Sequence, residues 1–162
     1  MQSKVQCFKK TQILKPIRPL SNFDLIKYYN NVKQFGGVYS RDSLPKLIKP
    51  KFYIVNLDDA TGPGSHWVCI YNCNCDICYY FDSFGVDPCD EVLKFIRQSQ
   101  KKVVMSNTFQ IQKLGTIMCG YFCIYVCNEL MKNTPFHYIL LKFEPIHYQN
   151  NDRIIKQLLN LF

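Results

Sequence analysis

Residues 119–131 read CGYFCIYVCNELM, a run of helix length with almost no polar face. A helix that is apolar nearly all round must be buried on every side, so the rest of the chain has to supply layers around it. Those layers can be read from the remaining pattern. Ser21 and Asn22 can cap a helix over residues 23–33, with Leu25, Ile26 and Tyr29 on its apolar face and Gly36-Gly37 ending it. Residues 52–57 read as a buried strand, and residues 66–71 and 77–82 as two more, rich in aromatic and β-branched side chains. Between them, DDATGPGS (58–65) is a loop broken by Gly62, Pro63 and Gly64. Pro88 opens a helix to about residue 99, residues 103–111 hold one or two short strands, and residues 151–161 form a last amphipathic helix. The order helix, strands, helix, strand, helix predicts an α+β domain.

The 162 residues suit one domain, 1–162, whose first twenty residues, basic and carrying Pro16 and Pro19, read as an arm or edge strand. Aromatic residues make up 15% of the chain, which excludes a disordered tail. Twenty Lys and Arg against twelve Asp and Glu give +8, a surplus that suits nucleic acid as a partner and equally serves solubility. Lys46, Lys49, Lys51, Lys101 and Lys102 are scattered and read first as a solvated face rather than a phosphate patch. MQSKVQCFKK holds no apolar run and no membrane span is visible, so the expectation is an intracellular, unsecreted monomer away from membranes. Nine cysteines, an odd number, then read as mostly reduced thiols. Cys73, Cys75, Cys78 and Cys89 do not have the spacing of a zinc finger, and no metal is expected there.

The chain also offers the parts of a thiol hydrolase: a thiolate, a base, an orienting group and oxyanion donors. Gly115 and Gly120 bracket a turn into the apolar helix, so Cys119 falls at a helix N-terminus, where the dipole favours a thiolate. Cys123 and Cys127, one and two turns on, read as core. His66 opens a strand, and a hairpin centred on Asn74 would set it opposite Asp82, able to hold its tautomer. Alone, each residue has a plainer reading: His66 as a surface hydrogen-bonder, Cys119 as a packed thiol. Gln112, seven residues before Cys119, can donate its amide to an oxyanion, with Gln110 as the rival. Trp67 serves as core packing or as a wall for substrate. Tyr79, Tyr80 and Phe81 read as sheet core.

The string HWVCIYNCNCDICYYFDSFG, followed by a Gln seven residues before CGYFC, resembles the adenovirus maturation protease (adenain) family. YIVNLDDATGPGSHW and GVYSRDSLPKL resemble further segments of it, so the likeness runs over roughly residues 22–135. It is similar in kind to relatives in virophages and Polinton (Maverick) elements. The resemblance implies a papain-like, adenain-type cysteine protease with a central mixed β-sheet flanked by helices. Its nucleophile is Cys119, its base His66, its acid Asp82 and its oxyanion amide Gln112. It implies maturation cleavage of viral capsid and core precursors at glycine-containing sites, in the virion or at the assembly site. It also implies DNA or a peptide as activator, with no cofactor needed for the chemistry. Asp82 departs from the family's Glu, and no Cys lies between Cys89 and Cys119 to take the family's activating disulfide. The rival readings are an isopeptidase for ubiquitin-like modifiers and a non-catalytic DNA- or capsid-binding protein.

Overall fold

A computed structural model describes residues 9–162. Among the described residues five strands form one mixed sheet: β1 (Phe35–Ser40), β2 (Lys51–Asn56), β3 (Trp67–Asn72), β4 (Ile77–Phe81) and β5 (Val103–Ser106), lying in chain order. The outer pairs, β1 with β2 and β4 with β5, are parallel, and the central pairs are antiparallel. Beyond residue 20 the α-helices are α1 (Asn22–Tyr28), α2 (Asp90–Arg97), α3 (Cys119–Met131), α4 (Phe136–Leu140) and α5 (Asn151–Leu158). The expected α+β class, with a mixed sheet flanked by helices, is the observed one.

Period-two alternation divides the core. Trp67 and Cys69 of β3 and Phe81 of β4 pack with Phe122, Cys123 and Val126 of α3. Val68 and Ile70 of β3 and Tyr80 of β4 pack with Val92, Phe95 and Ile96 of α2. As its composition demands, α3 is enclosed: every residue from Gly120 to Cys127 is buried. The sheet and the smaller helices are the layers around it.

Several expectations are corrected. Helix α1 opens with a full capping box, Ser21 and Asp24 each accepting from the other's backbone N–H, but ends at Tyr28 rather than at residue 33. Asn31 turns left-handed, with φ 68°, and sends the chain back into the core. Gly36-Gly37 does not end that helix; it belongs to β1. A Cβ on Gly36 would lie 2.5 Å from the Tyr53 ring, so glycine is what lets this strand close on its neighbour. The basic arm is in part packed down: residues 9–13 are helical, and Leu14 and Leu20 lie in the core, drawn there by their apolar side chains. The expectation for residues 1–8 lies outside the described residues.

The β3–β4 hairpin is shifted. Cys69 pairs with Phe81, Ile70 with Tyr80 and Tyr71 with Tyr79, two residues away from the register that would set His66 directly against Asp82. Its tip brings the Cα atoms of Cys73 and Cys75 to 5.3 Å, and the two form a disulfide, contrary to the free thiols expected. Lys101 donates to the carbonyls of both. Among the described residues no helix is long and apolar enough to cross a membrane, and no group of three or more His, Cys, Asp or Glu could hold a metal ion.

Candidate active site

The register shift moves His66 and Asp82 but does not part them. A slip of one residue would send the two side chains to opposite faces, whereas a slip of two preserves the face. His66 sits just before β3, pinned by its carbonyl, which accepts from the N–H of Leu57. Asp82 sits just after β4. His66 Nε2 meets Asp82 Oδ1 at 2.7 Å, with the side chains only 11% and 2% exposed. In the observed register His66 falls opposite Phe84 instead, whose ring stacks on the imidazole at 4.5 Å between centroids.

Asp82 is held from three directions. Its Oδ1 also accepts from the N–H of Phe84 at 2.8 Å. Asn107 Oδ1 accepts from its backbone N–H, and Asn107 Nδ2 donates to its carbonyl. The following turn closes with Gly85 N–H donating to Asp82 O at 2.8 Å, at φ 69°, where a Cβ would strike the Phe109 backbone at 2.5 Å.

With Nε2 committed to a carboxylate, Nδ1 is the ring nitrogen left for a reacting partner. Cys119, the first residue of α3, lies near enough to act on the imidazole. Burial pulls the His66 pKa down, but hydrogen bonding to Asp82 and Cys119, with their charges, outweighs it and carries the value up to about 9. The ring is therefore an imidazolium at neutral pH. Cys119 opens onto a cleft of about 670 Å³ bounded by Pro19–Asn22, the end of β1, the 59–65 loop, Trp67 and Thr116–Ile117.

Trp67 packs in the core and also reaches the cleft. It is 9% exposed, donates Nε1–H to Leu20 O at 2.9 Å within the core, and still lends an edge to the cleft. Gln112 is fully buried. Its Oε1 accepts from Ser83 Oγ at 2.7 Å, and its Nε2 donates to Thr116 O at 2.8 Å and meets Thr116 Oγ1 at 3.1 Å. Gln110 turns its amide elsewhere, donating to the carbonyl of Gln112. The segment under Gln112 rests on α5: the buried Asn151 donates to Ile111 O and to Glu144 O, and accepts from Glu144 N–H. Of the scattered lysines, Lys51 and Lys101 direct their ammonium groups to backbone carbonyls, so the five do not form one free patch.

Sequence reasoning missed Ser83, Phe84, Asn107 and Thr116. Ser83 and Phe84 stand next to Asp82 in the chain, and that adjacency was the available signal. Nothing in one sequence marks Asn107, which reaches Asp82 across 25 residues.

No family model matches the chain, and no curated protein matches it in sequence. Solved structures do match. One crystal structure of ASFV pS273R protease superposes with a TM-score of 0.60 at 14% identity, over 88% of this chain and 67% of that one. Its selenomethionine form gives 0.50 at 20% identity, over 68% of this chain and 44% of that one. The chain thus spans under half the length of one neighbour and about two thirds of the other, and it shares the fold of a viral protease.

Proposed function

We propose that the chain is a cysteine endopeptidase in which Cys119 is the nucleophile, His66 the base and acid, Asp82 the orienting carboxylate and Gln112 an oxyanion donor. The observation that carries this reading is the His66 Nε2–Asp82 Oδ1 bond of 2.7 Å, beside a cysteine that begins a buried helix and lines a cleft.

The imidazolium supplies the positive charge beside Cys119 Sγ that a thiolate nucleophile requires, and the N-terminal end of α3 adds its dipole. The thiolate attacks the peptide carbonyl carbon, and the carbonyl electron pair moves to oxygen. The Cys119 backbone N–H and Gln112 Nε2–H receive that oxyanion. As the tetrahedral centre collapses, His66 gives its proton to the departing amine and leaves a thioester. His66 then takes a proton from water, whose oxygen attacks the thioester and releases the acid.

The likeness to the adenain family, together with a fold shared with a viral protease, supports viral capsid and core precursors as substrates, cut at glycine-containing sites during maturation. The +8 charge supports DNA as an activator, alone or with a peptide. Incubation of a capsid precursor and of a ubiquitin-like modifier fusion with wild type and Cys119→Ala tests the reading. Cleavage of the precursor, abolished in the variant, is expected. Cleavage that persists in Cys119→Ala would end the proposal, and cleavage of the modifier fusion alone would reassign the substrate.

A further inference from the structure

A carboxamide is nearly symmetric in shape, so an oxyanion donor of this kind works only if something decides which end faces the substrate. The proteolytic reading needs the nitrogen of Gln112 on the side of Cys119. Its oxygen lies against the Ser83 hydroxyl at 2.7 Å, and its nitrogen lies against the Thr116 carbonyl at 2.8 Å. Thr116 lines the cleft with Cys119, while Ser83 is fully buried and forms no part of its lining. A carbonyl cannot donate, so a flipped amide would set two oxygens against each other at Thr116. The Ser83 hydroxyl would suit either end of an amide; with the end chosen at Thr116, it donates to the oxygen and holds the group in that place.

Ser83 is itself fixed to the segment it orients. Its carbonyl accepts from the N–H groups of both Ile111 and Gln112, each at 2.8 Å. Its neighbour Asp82 is clamped by Asn107. Building on the proteolytic reading, we propose that Ser83 is a positioning residue whose hydroxyl aims the Gln112 amide nitrogen at the oxyanion. The adjacent pair Asp82–Ser83 then orients both halves of the machinery, Asp82 the base and Ser83 the oxyanion donor. An arriving oxyanion replaces the longer contact, that of Nε2 with Thr116 Oγ1, and leaves the carbonyl bond in place.

The test is a double-mutant cycle on peptide hydrolysis with Ser83→Ala and Gln112→Ala. Losing an oxyanion donor outright costs about 10²–10³-fold in kcat, so misaiming it through Ser83→Ala is expected to cost about 10–10²-fold. KM should stay unchanged, as should the rate at which iodoacetamide alkylates Cys119, a reaction that forms no oxyanion. In the Gln112→Ala background the Ser83 substitution should have no further effect on kcat. A Ser83→Ala enzyme as fast as wild type, or one slowed equally in both backgrounds, would overturn the assignment. Should Ser83→Ala fail to fold, Ser83→Thr and Ser83→Val, alike in shape and differing in the hydroxyl, make the same comparison, with Thr retaining the rate and Val losing it. Hydrolysis that does not depend on Cys119 in the parent chain would overturn the proteolytic reading itself, and the cycle on Gln112 separates that failure from this one.

Discussion

Asn107 grips Asp82 by both of its backbone groups, accepting from the N–H at 3.1 Å and donating to the carbonyl at 2.5 Å, with both residues buried. Because Asp82 lies just beyond β4, no strand partner makes these bonds, and a side chain closes the account instead. Asn107→Ala is expected to leave the buried Asp82 N–H unpaired, while its carbonyl keeps the bond from Gly85, at a cost of about 1–3 kcal/mol in stability. Peptidase activity should fall as well, because Asp82 loses its fixed position. Urea unfolding and kcat on the same preparation check both, and unchanged values for each would show that the grip is dispensable.

Asp82→Asn keeps the shape of the acid and removes its charge. In a serine-protease triad this exchange leaves the geometry and costs about 10⁴-fold. A thiol is already the stronger nucleophile, so a smaller loss, on the order of 10²-fold, is expected here. Hydrogen bonding to Asp82 is the foremost influence holding His66 up against burial. In the variant the His66 pKa should therefore drop, and the basic limb of the kcat/KM profile should move down from near 9. A profile that stays in place would refute the assignment of that limb to His66.

Stability should carry the same signature. His66 titrates at about 9 in the folded chain against 6.5 for a free imidazole. Its pairing with Asp82 therefore stabilises fully below pH 6.5, and the contribution is lost as pH rises through 9. Urea midpoints measured at about pH 6 and about pH 9.5 should fall for wild type, and the fall should be smaller in Asp82→Asn.

Alkylation distinguishes an activated thiol from the packed ones. Burial pushes Cys123 and Cys127 well up from the ordinary thiol value, and Cys78 up to about 11. Cys73 and Cys75 are bonded to each other. At about pH 6 ordinary thiols are almost wholly protonated. Iodoacetamide followed by peptide mapping should mark Cys119 first, at least about tenfold faster than the half-buried Cys89, and His66→Ala should erase the difference. Equal labelling of Cys119 and Cys89 in wild type would contradict an activated nucleophile.

Gly85→Ala tests the turn behind the site. A left-handed backbone costs a non-glycine residue about 1–2 kcal/mol, and the new methyl would meet the Phe109 carbonyl at 2.5 Å. A larger loss than the backbone term alone is expected by urea unfolding, with Asp82 and Ser83 disturbed and activity reduced. Wild-type stability in this variant would be inconsistent with the close approach of the two segments.

The parts of the structure legible in the sequence were those whose side chains face one environment. The 119–131 helix was readable to its bounds because it is apolar on all sides, and β2 to β4 because they are dense in aromatic and β-branched residues. Strand β1 was not, since FGGVYS puts two glycines where strand residues are expected, and their reason is the Tyr53 ring on the neighbouring strand. Helix α4 is only five residues long, too short to declare a period. The hairpin register was misjudged because the turn residues NCNCD carry no Asn-Gly or Asp-Gly signal to fix where the chain reverses. Parity nonetheless kept His66 and Asp82 on one side. Gln112 was singled out, but the residues that its amide bonds were not, because Ser83 and Thr116 matter only through contacts that a linear pattern does not display.

The bond from Asn151 to the carbonyl of Ile111 has a temporal consequence. The segment that carries Gln112 is propped from below by a side chain that arrives 40 residues later in the chain. While the polypeptide is still being made, Cys119, His66 and Asp82 can all have left the ribosome before that prop exists. A copy not yet extended to Asn151 therefore lacks the bond that holds the Ile111 carbonyl beside Gln112.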